Sequence, residues 1–270
     1  MENQPQAREV VIDLDQVWEP ALVGILRASL FAGLGANAAR DPSLTNFDLP
    51  GLMKFSYSRL VPDLQEIKLE FERWTLANAF REAVESFALA LDRSYEGLLL
   101  AEWVKTGKRP TLSRFRKFFH VGIEGKLEVL CAEFRVTTDV APYFVSLNKA
   151  RNCLAHRMGV VGPMDLTEGN ALVVRYRRME FIIIEDNGRE QTIPVDTGGT
   201  FQIESPCRRA EIPFPEEQRA FGLGARLLLE PSDVKYIFWT LNRCVIELKS
   251  SIVAKLREMG FPINIREARS

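Results

Sequence analysis

Histidine is the scarcest reactive group in this chain: 270 residues hold two, His120 and His156. Cysteine is nearly as sparse. Cys131, Cys153, Cys207 and Cys244 stand far apart, with no CxxC pair. Together these two shortages argue against a zinc site and against a disulfide scaffold, so no metal is expected. Thiols used this sparingly fit a reducing, cytoplasmic setting. Net charge is missing as well, with 35 basic residues against 36 acidic ones. A balance of that kind excludes a globally basic nucleic-acid binder, so any RNA contact must come from local clustering. There is no internal repeat, no low-complexity tract and no nucleophile motif. Gly222-Leu223-Gly224 lacks the rest of a dinucleotide loop, and Thr197-Gly198-Gly199 reads as a turn, so no cofactor is expected.

Long hydrophobic runs are almost absent. The exception, residues 21–39, has the length of a membrane span but is rich in Gly and Ala and carries Arg27 near its centre. The residues before it include Asp13, Asp15 and Glu19, not the basic stretch of a signal peptide. The run therefore reads as a buried or half-buried helix, with no membrane partner.

What is there is a well-supplied core: 46% of residues are hydrophobic and 26% charged. Residues 1–62 read as an N-terminal helix, over about 15–39, followed by a loop punctuated by Pro42, Pro50, Gly51 and Pro62. Residues 63–160 read as a helical bundle core. Ile67, Phe71, Trp74, Ala77, Phe80, Val84, Phe87, Leu91, Tyr95 and Leu98 recur every three or four residues, one apolar stripe along a long helix. Asp63 suits its start, and Gly107 with Pro110 its end. A third helix is expected over 112–134, capped by Thr111 or Ser113, and a fourth over 140–158 with Pro142 in its first turn and Gly159 as its stop.

The texture changes after Gly162. Residues 171–176 and 180–185 are β-branched and aromatic, and Asp186-Asn187-Gly188 is a hairpin turn signal. Residues 191–195, 200–204, 210–214 and 226–229 supply further short strands. Residues 165–230 thus form a small antiparallel β insertion. Residues 231–260 return as a last helix, with Val234, Ile237, Phe238, Leu241, Val245, Leu248, Ile252 and Leu256 as its stripe. The fold class is mainly α, a helical bundle with a small antiparallel β insertion before the last helix, and the tail 264–270 is polar and frayed.

The chemistry-bearing segment is Leu147-Asn148-Lys149-Ala150-Arg151-Asn152-Cys153-Leu154-Ala155-His156-Arg157-Met158-Gly159. On a helix, Asn152 and His156 are about 40° apart and share a face, while Arg151 lies about 140° from His156. Arg151 can fork onto a phosphate, Asn152 can orient the phosphate or the imidazole, and a histidine exchanges protons near neutral pH. Leu147, Leu154 and Met158 are candidates for the buried side. The competing reading is that Arg151 and His156 are ordinary basic residues at a helix C-terminus, where the dipole favours them.

The arrangement resembles the Arg-polar-x-x-x-His signature of HEPN domains. That resemblance covers the helical parts, about 60–160 and 231–259, and implies a HEPN-like bundle, usually dimeric, with many members acting as metal-independent RNA endonucleases. It implies catalytic roles for Arg151, Asn152 and His156, single-stranded RNA as substrate, a role in defence or stress, and a homodimer with the 143–158 helix at or beside its two-fold axis. Where some family members carry a Tyr two residues after the His, this chain has Met158, which departs from the form regulated by a partner nucleotidyltransferase. Many HEPN proteins are non-catalytic modules that bind RNA or a protein partner, and that alternative stays open beside a purely structural helical protein.

A second cluster lies between Glu102 and Glu124, where no acidic residue occurs. Lys105, Lys108, Arg109, Arg114, Arg116 and Lys117 are interleaved with Phe115, Phe118 and Phe119. Cations and aromatics in alternation suit an RNA backbone and stacked bases. Helical spacing equally suits three core phenylalanines with solvated cations around them. Arg175, Arg177 and Arg178 form a weaker basic group on an expected strand. Glu82 and Glu85 read by default as exposed carboxylates opposite the long apolar stripe.

Overall fold

The computed structural model describes residues 13–45, 63–139, 141–193 and 206–262. Helix α1 (Leu14–Arg40) starts where the Asp13 carboxylate accepts the Asp15 and Gln16 amides, at 3.0 and 3.3 Å. Helix α2 (Leu64–Thr106) is capped by Asp63 and closed by Gly107, whose φ of 70° lets its N–H turn back to the Trp103 carbonyl. At 43 residues, α2 is about 65 Å long and forms the spine of the molecule. Then come α3 (Leu112–Phe119), α4 (Ile123–Phe134), α5 (Ala141–Arg157) and a 3-10 turn at Pro163–Asp165. Strands β1 (Ala171–Arg177), β2 (Phe181–Glu185), β3 (Glu190–Ile193), β4 (Cys207–Glu211) and β5 (Glu216–Gly222) follow, and α6 (Pro231–Glu258) closes the chain.

The spine has two uses. Its face with Phe80, Val84, Phe87, Leu91, Tyr95 and Leu98 is buried under α4, α5 and α6. Its adjacent face takes α1 antiparallel and unusually close. Gly24 lies against Ser86 and Gly35 against Thr75, where a Cβ would come within 2.6 and 2.7 Å of the facing Cβ atoms. The first turns of the expected apolar stripe do not join the core, however. Phe71 and Trp74 are exposed, and the buried apolar residues of α2 begin at Leu76.

The expected third helix is two. Phe118 and Leu127 are nine residues apart, which would put them on opposite sides of one straight helix. The chain breaks at His120-Val121-Gly122 so that both reach the core. Phe118 then stacks on Tyr95, with ring centroids 3.9 Å apart.

The β region is an insertion between α5 and α6, and α6 returns to pack on α1 and α2. It forms two antiparallel sheets in place of one, β1–β5 and β3–β2–β4. In β1, Leu172, Val174 and Tyr176 point to the helices and are buried. Ser146 of α5 accepts the Arg175 amide at 3.1 Å and Thr240 of α6 accepts the Arg177 amide at 2.8 Å, so β1 is clamped between the two helices. β5 escaped the sequence pattern because it is mostly exposed and polar, drawing its register from β1. Residues 226–229 are not a strand; Arg226 makes one isolated bridge with Val160. The strand expected at 200–204, the turn at 197–199, the tail at 264–270 and most of the 40–62 loop lie outside the described residues.

Candidate functional site

Helix α5 is held on its apolar side by Phe144, Leu147, Ala150 and Cys153, all fully buried, with Phe144 stacked on Phe87 of α2 at 4.1 Å. Its polar edge carries the motif. Arg151 Nη1 donates to Asn152 Oδ1 at 2.7 Å, and Arg151 Nη2 lies 3.3 Å from Glu85 Oε1. The Arg151 Nε is buried and has no hydrogen-bond partner among the described residues. The guanidinium is thereby drawn round to the Asn152 side of the helix.

His156 stands one turn beyond Asn152 on the same face, in the last turn of α5, and is exposed. It makes no hydrogen bond or ion pair with a described residue. The structure therefore joins Arg151 to Asn152 and, among the described residues, leaves the imidazole without a partner, with the Asn152 and His156 Cβ atoms about 6 Å apart by helix geometry.

The end of α5 is set by residues that the sequence pattern did not single out. Arg157 forks onto Asp165, donating from Nε to Oδ2 at 2.6 Å and from Nη2 to Oδ1. Asp165 is fully buried and also accepts the Gly162 amide at 2.9 Å. Met158 and Gly159 both adopt left-handed backbone, with φ of 51° and 79°, and turn the chain away. That turn throws the Met158 side chain into solvent, 86% exposed, where the apolar pattern had it buried; Leu147 is buried as expected and Leu154 half-buried against the core. Burial, with the Asp165 carboxylate next, pushes the Cys153 thiol up to about 11, which makes it a poor nucleophile. Among the described residues, no group of three His, Cys, Asp or Glu is placed to hold a metal ion.

Glu85, by pattern a surface carboxylate, meets Arg151, and Asn78 and Arg81 line up with it. The three sit at spacings of three and four on the side of α2 that meets Arg151, with Arg81 Nη1 3.4 Å from Asn78 Oδ1. Glu82, next to them, pairs with Arg27 of α1. A polar stripe beside the long apolar one was the available signal.

The basic cluster divides. Lys105, Lys108, Arg109, Arg116 and Lys117 are exposed. Arg114 is held between Glu102 at 2.5 Å and Glu133 at 2.7 Å and is half-buried, so it is occupied within the fold. Phe118 is core and Phe115 packs against it, whereas Phe119 and Trp103 are exposed, with the Arg109 guanidinium 5.9 Å above the Trp103 ring. Of the three phenylalanines only Phe118 is fully in the core, and of the six cations only Arg114 is held by carboxylates among the described residues. Trp103 shares a face of α2 with Glu85, five helical turns away, so the cluster stands about 27 Å from the motif. Arg175 and Arg178 are neutralised locally, Arg175 by Glu168 and Glu216 and Arg178 by Glu180 and Glu217, while Arg177 donates to the Tyr143 hydroxyl.

Comparison with known proteins gives no match: no family model, no curated protein and no solved structure matches this chain.

Proposed function

We propose that this chain is a metal-independent endoribonuclease of HEPN type, acting on single-stranded RNA. The observation that carries the reading is the Arg151–Asn152 hydrogen bond one turn from His156, which is exposed and bonded to none of the described residues, on the face of α5 that Asn152 shares. A phosphate at this pair would meet charge-assisted donors that strengthen as negative charge builds on phosphorus. His156 accepts the proton of the adjacent 2′-hydroxyl. The 2′-oxygen bonds to phosphorus as the bond to the 5′-oxygen breaks, and the departing 5′-oxygen takes a proton from water. The product ends in a 2′,3′-cyclic phosphate. Glu85 competes for the Arg151 guanidinium, but a half-exposed pair at 3.3 Å is worth little beside a doubly charge-assisted contact and yields to a phosphate.

The exposed cations Lys105, Lys108, Arg109, Arg116 and Lys117 supply backbone contacts remote from the cut, with Trp103 and Phe119 as stacking surfaces. At about 27 Å, a strand of several nucleotides spans both. A non-catalytic RNA-binding role is the second reading. It is favoured by the ion pair that occupies Arg151 in this structure.

The test is cleavage of single-stranded RNA in EDTA by the purified chain and its Arg151→Ala and His156→Ala variants. His156→Ala lowers the rate roughly a hundredfold or more, as expected for loss of a proton-transfer group. Binding without cutting by the wild-type chain would support the second reading.

A further inference from the structure

Helix α1 is apolar on both faces, and among the described residues only one is covered. Ala21, Ile25, Ala28, Ala32 and Ala36 face the bundle. Outward stand Leu22, Leu26, Leu30 and Leu34, four residues apart, with Val23 and Phe31 beside them, all between 38% and 65% exposed. Those six side chains leave apolar surface on the order of 600 Å², at the top of what a soluble monomer exposes in one patch. The patch does not stop at α1. Trp74, 65% exposed, adjoins Thr75 and hence Gly35, and extends the Leu34 end. Ile246 of α6, also exposed, is one turn from Lys249, whose ammonium meets Asp15 at the other end. With those additions the surface approaches the roughly 800 Å² per partner of a stable interface.

Two kinds of occupant compete, a lipid surface and a protein. A helix lying on a membrane keeps unpaired lysines and arginines along its border. Here Arg27 is paired with Glu82 and Arg40 with Glu72, and Asp15 and Glu19 make the first turns acidic. The border suits no anionic lipid. It does suit a copy of itself. The leucines form a ridge of every fourth residue, and the small exposed residues Ser29 and Gly33 leave a shallow groove beside it. Ridges and grooves of this period interlock when two such helices cross. A face carrying both satisfies the self-complementarity of a two-fold interface.

We propose that the outer face of α1 is the interface of an isologous homodimer of this chain. The dimer does not depend on the nuclease reading, but it bears on it. Glu82, paired with Arg27, borders the patch, and Glu85, paired with Arg151, is the next turn of α2. The polar edge of α5 thus lies beside the two-fold interface without forming it.

The experiment is the mass in solution of the full chain at micromolar concentration, by light scattering, for the wild type and for Leu26→Glu/Leu30→Glu. The wild type should give twice the 30.7 kDa chain mass. The double variant should give one chain mass with an unchanged far-UV circular dichroism spectrum, since both leucines are more than half exposed in the single chain. The milder Leu30→Gln should raise the dissociation constant at least tenfold and covers the case in which the double variant does not fold. A wild-type chain that stays at one chain mass overturns the proposal. So does one that floats with phosphatidylcholine–phosphatidylserine vesicles as a monomer, and so does a folded double variant that remains dimeric.

Discussion

Replacing Asp165 by Ala tests what holds the motif helix in place. The Asp165 carboxylate is fully buried and accepts three hydrogen bonds, two from the Arg157 guanidinium and one from the Gly162 amide. Removing one partner of a buried pair costs about 3–5 kcal/mol when the other charge has nowhere to go. The Arg157 side chain is one-third exposed and can turn to water, which reduces that cost. The Gly162 amide loses its acceptor, worth about 1 kcal/mol or more if it stays buried. The expected loss is about 2–3 kcal/mol, read as a lower urea midpoint at unchanged slope. Asp165→Asn keeps the shape and one acceptor and should lose about half as much. A second readout is local. With the carboxylate gone, Cys153 loses one of the influences raising its thiol and should label faster with a thiol reagent. A loss for Asp165→Ala under about 0.5 kcal/mol, the scale of an ordinary surface change, would refute the claim that this pair fixes the end of α5.

Other consequences follow from the packing and the surface. Gly35→Ala puts a Cβ against Thr75 and should cost about 1–3 kcal/mol by thermal or urea unfolding, whereas Gly33→Ala, with nothing near its Cβ position, should not destabilise the fold. Between pH 7 and 9, Cys131 and Cys207 should react with a thiol reagent while Cys153 and Cys244 stay silent; burial holds the last two protonated, and Cys153 should open to labelling only as the pH nears 11. Replacing Lys108, Arg109, Arg116 and Lys117 by Ala should weaken RNA binding and flatten its salt dependence, whereas Arg114→Ala should chiefly lower stability; an unchanged salt slope in the quadruple variant would mark these cations as mere solvated surface.

Much of the helical frame was legible because its signals are local. Asp63 and Gly107 bound α2, and Pro231 opens α6, within a residue or so of where composition puts them. What failed was set by tertiary contact. The 112–134 segment has uninterrupted helical periodicity, yet Phe118 and Leu127 can share one core only if the chain breaks between them. Trp74 carries the period of a core residue, but it stands to one side of the α1 contact made by Thr75 and remains exposed. β5 has no apolar alternation and exists because β1 offers it an edge. At the site, the spacing of Arg151, Asn152 and His156 was readable, and so was the reach of the long Arg151 side chain round the 140° between them. Only the fold supplies Glu85 and the Asn152 hydrogen bond that turn the guanidinium. The clamp of Arg157 on Asp165 spans a turn with no sequence signature beyond two opposite charges eight residues apart.

The most direct measurement is the chemistry of the RNA ends. Single-stranded RNA incubated with the full chain in EDTA should yield 5′-hydroxyl fragments and 2′,3′-cyclic phosphates. These products should fall roughly a hundredfold or more with His156→Ala and be lost with Arg151→Ala, while both variants keep the wild-type unfolding free energy within about 0.5 kcal/mol. Fragments ending in a 3′-hydroxyl, cutting that needs a divalent ion, or full activity in His156→Ala would contradict the assignment of Arg151, Asn152 and His156 as the catalytic group.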